Sequence, residues 1–99
     1  MKQLAPGICI ETLVAGDLTH MVKFHLSGGA ELPVHSHPHE QTGYLLSGRI
    51  TLCVGDTNIE AVPGDSWSIP GNIEHSAQVH EDSIALEIFS PVREDYLEE

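Results

Sequence analysis

His35, His37 and His39 alternate with Ser36 and Pro38, and a further histidine, His75, follows the turn-forming run Pro70-Gly71-Asn72. Seven histidines in 99 residues is a high density. Neutral imidazole is a common ligand for divalent ions, and residues two apart on an extended chain point to the same side. His35 and His37 are therefore expected to present both rings to one volume. Gln41 can add a carboxamide oxygen as the chain enters its next segment, and His75 can complete the set from a neighbouring strand. The expected cofactor is one divalent metal ion on His35, His37, Gln41 and His75, with Zn, Ni, Mn and Fe all open. Solvated loop histidines are the plain alternative, but it leaves three converging imidazoles unexplained. Glu40 cannot replace Gln41, because a shift of one residue turns its side chain to the opposite face. His39 is expected to be exposed or to support a ligand. His20, His25 and His80 read as ordinary strand or turn residues, with His25 the one that could look inward.

Strands must position these residues, because no sustained helical period occurs before the last few positions. Apolar runs are short and broken by Gly, Pro, Asn and Asp. They predict about eight strands: Ile8 to Val14, Met21 to Leu26, Thr42 to Leu46, Arg49 to Val54, Asn58 to Val62, Ser66 to Ile69, Ala77 to His80 and Ile84 to Phe89. Gly55-Asp56 and Ser47-Gly48 read as two-residue hairpin turns. The fold class is all-β, a small antiparallel β-barrel or jelly roll. A single domain is expected over residues 1–99, with its core at about 20–90 and a tail at 91–99 that forms at most one helical turn after Pro91.

The chain carries 15 acidic and 4 basic residues, a formal charge of −11. Such a surface repels phosphate backbones and anionic membranes, so neither nucleic acid nor membrane is an expected partner. An anionic small molecule would depend on a bound metal or on Lys2, Lys23, Arg49 or Arg93. No apolar run reaches the roughly 20 residues of a membrane span, and the N-terminus lacks a signal-peptide core, so a cytoplasmic protein is expected. Cys9 and Cys53 sit in apolar alternating segments and are expected to be free thiols acting as small core residues.

From Gly29 to His75 the sequence resembles the cupins. Their first motif, G(X)5HXH(X)3–4E(X)6G, is matched by Gly29, His35, His37, Gln41 and Gly48, with Gln41 where glutamate is usual. Their second, G(X)5PXG(X)2H(X)3N, is matched by Gly64, Pro70 and His75, with Asn72 and Val79 replacing glycine and asparagine. The resemblance implies a metal site of three histidines and an acid, which this chain changes to three histidines and an amide. The lost charge weakens binding of a divalent ion and leaves the bound ion more Lewis acidic.

The run HSHPHEQ and the closing FSPVREDYL are similar to the uronate-linearising cupins of pectin and alginate breakdown, the KdgF group. That resemblance implies a pocket formed by the metal with Glu87, Phe89 and Arg93, where the group has aspartate, phenylalanine and arginine. Glu87 and Phe89 share a strand face, so one can move a proton while the other walls the pocket, and Arg93 can grip a carboxylate. In the plain alternative Arg93 pairs with Glu94 or Asp95 at the surface. The expected activity is ring opening and tautomerisation of a 4,5-unsaturated uronate to a linear keto-uronate. Glu87 and Arg93 are its catalytic residues, and Phe89 and Arg93 bind the small anionic sugar acid. An Fe-type dioxygenase and a non-catalytic module that binds metal or sugar acid are the competing readings. Small cupins commonly pair, so a homodimer is expected.

Overall fold

The computed structural model describes residues 1–97. Eight strands run in chain order: β1 (Lys2–Ala5), β2 (Ile8–Ala15), β3 (His20–Leu26), β4 (Glu31–His35), β5 (Glu40–Val54), β6 (Thr57–Ala61), β7 (Ser66–Ile69) and β8 (His75–Ser90). A short helix, α1 (Glu94–Leu97), follows. All pairings are antiparallel, in the order β1-β2-β3-β8-β5-β6, with β4 added to β8 and β7 to β5. The all-β jelly-roll expectation holds. A closed barrel does not form, because the ladder runs from β1 to β6 without joining its ends. No described helix is long and apolar enough to cross a membrane.

The strand count agrees with expectation, but the strands differ. Thr42 to Leu46 and Arg49 to Val54 are two halves of the 15-residue β5, and Ala77 to His80 and Ile84 to Phe89 belong to the 16-residue β8. Ser47-Gly48 is a bulge rather than a hairpin, with the β5–β8 register shifting on both sides of it. Gly48 has φ +90°, and a Cβ there would lie 2.0 Å from Ser83 Oγ, so glycine serves a close approach inside a strand. Ser83 Oγ accepts from the Arg49 amide at 3.0 Å and donates to the Glu81 carbonyl at 2.7 Å, fastening the bend. The Gly55-Asp56 turn forms as expected between paired Val54 and Thr57. β1 and β4 escaped the periodicity because they are short and half-exposed, and β4 contains Pro33.

The bend lets β5 and β8 serve two layers. One layer joins β1, β2 and β3 to the second half of β8, the first half of β5 and β7. The other joins β4 to the first half of β8, the second half of β5 and β6. Alternate residues point between the layers: in β3 these are His20, Val22, Phe24 and Leu26. Ile8, Ile10, Val22, Leu45, Ile69 and Phe89 are fully buried there, each stabilising the fold by about 1.5–3 kcal/mol. Cys9 and Cys53 are free, as expected, but not core residues: both fall on the outward phase of their strands and are only half-buried.

Candidate metal centre

The histidines meet where the two layers open. Cross-strand pairing sets His35 of β4 opposite His75 of β8, with ring centroids 4.1 Å apart. β4 ends at His35, so His37 lies in the connection to β5 and not beside His35 on one strand face. The connection is anchored instead: the Asn72 amide donates to the His37 carbonyl at 2.7 Å, and a Cβ on Gly71 would come within 2.4 Å of the Pro38 carbonyl oxygen. The turn before His75 is thereby fastened to the loop that carries His37. Asn72 has φ +66°, a conformation asparagine tolerates better than most residues, which accounts for its standing where the motif has glycine.

One ligand atom from each of His35, His37 and His75 lies within 4.8 Å of the others. The Nδ1–H groups of His35, His37 and His75 donate to the carbonyls of Pro33, His39 and Ile73 at 2.8, 3.0 and 2.8 Å. A carbonyl only accepts, so each ring carries its proton on Nδ1 and leaves the Nε2 lone pair for a ligand. His75 Nε2 is buried without a partner. His37 Nε2 faces Gln41 Oε1 at 3.1 Å, two lone-pair atoms that a shared cation would reconcile. Gln41 is buried and Glu40 exposed, as the strand phase requires. These residues fit a divalent ion with three imidazoles and one amide oxygen as protein ligands. His39 supports His37 through its backbone.

Burial, with the Arg93 and His75 charges adding to it, lowers the His37 pKa to about 4, so its ring is neutral at physiological pH, as a ligand must be. Burial also lowers His75 and His20. Because His37 ionises less readily folded than unfolded, its contribution to stability is present above its ordinary 6.5 and lost as pH falls through about 4.

Glu87 lies in the same chamber, buried, and desolvation raises its pKa to about 8 against hydrogen bonds from Gln41 and Trp67. Its contribution to stability is therefore present below its ordinary 4.5 and lost as pH rises through about 8. The Trp67 indole N–H donates to both carboxyl oxygens, at 3.1 and 3.3 Å. Trp67 is the only tryptophan in the chain, so its emission reports this acid directly. In metal-free protein the emission is expected to titrate with a midpoint of about 8 and to be flat across that range in Glu87→Gln. A midpoint below about 6 would contradict the desolvated setting.

His35, Gln41, His75, Glu87, Phe89 and Tyr96 line one cavity of about 30 Å³, large enough for an ion with a water or two. A sugar ring can present only an edge to it. Arg93 is not on the cavity wall. It lies over the Phe89 and Tyr96 rings, its guanidinium carbon 5.1 and 3.9 Å from their centroids, while Nε and Nη2 bind Asp95 at 3.0 and 2.8 Å. Arg93 thus pairs with Asp95, but as a buried side chain whose Nη1 is left unpartnered.

Sequence reasoning missed Gly43, Trp67, Tyr96 and His20. An isolated glycine within a strand was an available signal for Gly43. His20 is wholly buried, with Nδ1 accepting from the Arg93 amide at 3.2 Å and Nε2 meeting the Thr12 hydroxyl at 3.0 Å. It ties the C-terminal segment to the sheet. His25 points outward, 3.1 Å from Glu11, and His80 is exposed beside Thr51.

Comparison with known proteins gives the same picture. The chain is 28% identical over 98 residues to the pectin degradation protein KdgF of Dickeya dadantii, covering 97% of this chain and 89% of that one. The structure of KdgF from Halomonas sp. superposes with a TM-score of 0.89 at 28% identity, over 95% of this chain and 89% of that one. An RmlC-like cupin from Shewanella frigidimarina superposes with a TM-score of 0.90 at 29% identity, over 96% and 86% of the two chains. The model of the cupin domain family matches residues 22–91, a span that holds every proposed metal ligand together with Glu87 and Phe89, and the chain belongs to that family.

Proposed function

We propose that this cupin is a metal-dependent isomerase that opens the ring of a 4,5-unsaturated uronate to a linear keto-uronate. The observation that carries the reading is Glu87: a buried acid, held protonated at neutral pH, on the wall of the cavity that His35, Gln41 and His75 also line. Similarity to proteins of pectin degradation supports a sugar acid as the substrate class.

The reaction is an isomerisation and needs no outside oxidant or reductant. The anomeric hydroxyl's proton passes to the ring oxygen as the bond between C1 and that oxygen breaks, leaving an aldehyde at C1 and an enol at C5. C4 then gains a proton, and the enol oxygen loses one to become the ketone. A carboxyl group near neutral pKa suits both halves: Glu87 donates to C4, and its carboxylate recovers the proton released from oxygen. A bound ion would supply Lewis acidity toward a substrate oxygen. Phe89 excludes water along the wall, and Arg93, stacked on Phe89 and Tyr96 and bound to Asp95, draws the substrate carboxylate by its charge from off the wall.

The test is the ultraviolet absorbance of the alkene. Metal-loaded protein with unsaturated galacturonate is expected to remove the signal at least about 100-fold faster than buffer, the scale of one positioned acid–base group. Decay at the buffer rate with loaded protein would overturn the reading.

A further inference from the structure

Gly43 of β5 pairs with Trp67 of β7 on one side and with Glu87 of β8 on the other. A Cβ on Gly43 would lie 2.2 Å from both Glu87 Oε2 and Trp67 Nε1. The bare Cα is therefore the space across which the indole reaches the carboxyl group. Gln41, two residues earlier on the same inward face, donates its amide N–H to that carboxyl group and turns Oε1 toward His37 Nε2 at 3.1 Å.

We infer that Trp67 and Gly43 are positioning residues for the Gln41 amide, acting through Glu87. The inference rests on the reading of Gln41 as a metal ligand. A carboxamide has two orientations that differ by exchange of oxygen and nitrogen. With nitrogen on Glu87, the oxygen faces the imidazoles and is free to bind a cation. After a flip, the amide N–H would donate to His37 Nε2, capping a lone pair that the ion needs. In the open orientation the carboxyl group accepts from Gln41, and Trp67 fixes that carboxyl group in place with an N–H shared between both oxygens. Any side chain at position 43 would part the indole from the acid. Trp67 thus has a role besides filling the core, and metal affinity depends on a residue that touches no metal ligand.

Co(II) alone, titrated into chelator-stripped protein and followed by calorimetry and visible absorption, tests this without any turnover. Trp67→Phe keeps the ring and removes the donor. It is expected to keep its circular dichroism, weaken Co(II) binding about 10-fold and shift the visible band, as loss of a ligand's supporting partner does. Glu87→Gln, nearly the same in size, reports the same link should Trp67→Phe fail to fold, and is expected to shift binding in the same direction. Wild-type affinity and spectrum in both variants, with binding still weakened in Gln41→Ala, would overturn the inference and leave the metal site standing. Unchanged binding in Gln41→Ala would remove the ligand reading itself, and the inference with it.

Discussion

Glu87→Gln at saturating metal is expected to lower turnover of a 4,5-unsaturated uronate by about 10²–10⁴-fold, the range for a positioned general acid–base group. The substitution preserves size and keeps an acceptor for the Trp67 indole, so the fold is retained while the transferable proton is lost. It also removes an acid whose ionisation is opposed by burial. The metal-free variant is therefore expected to lose less stability than the wild type as pH rises from about 4.5 through about 8. Initial rates over a range of substrate concentrations, with thermal melts at both ends of that pH interval, check the two halves together. Turnover within a factor of about three of wild type would place the proton transfer elsewhere.

The second large effect is on metal binding. His37 joins the other histidines to the apolar side of the chamber, its ring centroid 4.8 Å from that of His75, 5.9 Å from that of His35 and 5.7 Å from that of Phe89. It also faces Gln41 directly. Removal of a partner outside the ligand set commonly costs 10–100-fold in affinity, so loss of a ligand should exceed that. His37→Ala is expected to weaken binding by more than about 100-fold and to abolish turnover at micromolar metal. It should also blunt the acid-side loss of stability in metal-free protein, because a neutral buried ring no longer has to charge as pH falls through about 4. Binding calorimetry and an acid titration of the unfolding free energy measure both.

The candidate ligands stood out in the sequence because each belongs to a local pattern: paired histidines before a strand, an amide in phase with the strand interior, and a histidine after a turn. The expectation that His35 and His37 share a strand face did not hold, since His37 lies past the end of β4 and is placed by Asn72 and Gly71 from another part of the chain. Gly48 shows the same limit. Its φ of +90° suits a turn as well as a bulge, and only the contact with Ser83 on β8 decides between them. Trp67, His20 and Gly43 stayed hidden because their meaning lies in cross-strand partners: Glu87 for the first, the Arg93 amide for the second, and both Trp67 and Glu87 for the third. Periodicity gives the face a residue occupies and not the residue it meets across a sheet.

Arg93 was legible as a cation placed for a carboxylate, and the structure adds a competitor. Asp95 takes two of its nitrogens, and burial holds the guanidinium against Phe89 and Tyr96. The one guanidinium nitrogen left without a partner is Nη1, in place of the pair of nitrogens that a two-pronged grip needs.

The central claim is that His35, His37, His75 and Gln41 hold one divalent ion on which the chemistry of Glu87 depends. Calorimetric titration of Zn(II) or Mn(II) into chelator-stripped wild-type protein at neutral pH tests it most directly. Saturation at one ion per chain, lost in His37→Ala, is the predicted result. No saturable binding by the wild type, or equal binding by His37→Ala, would contradict it.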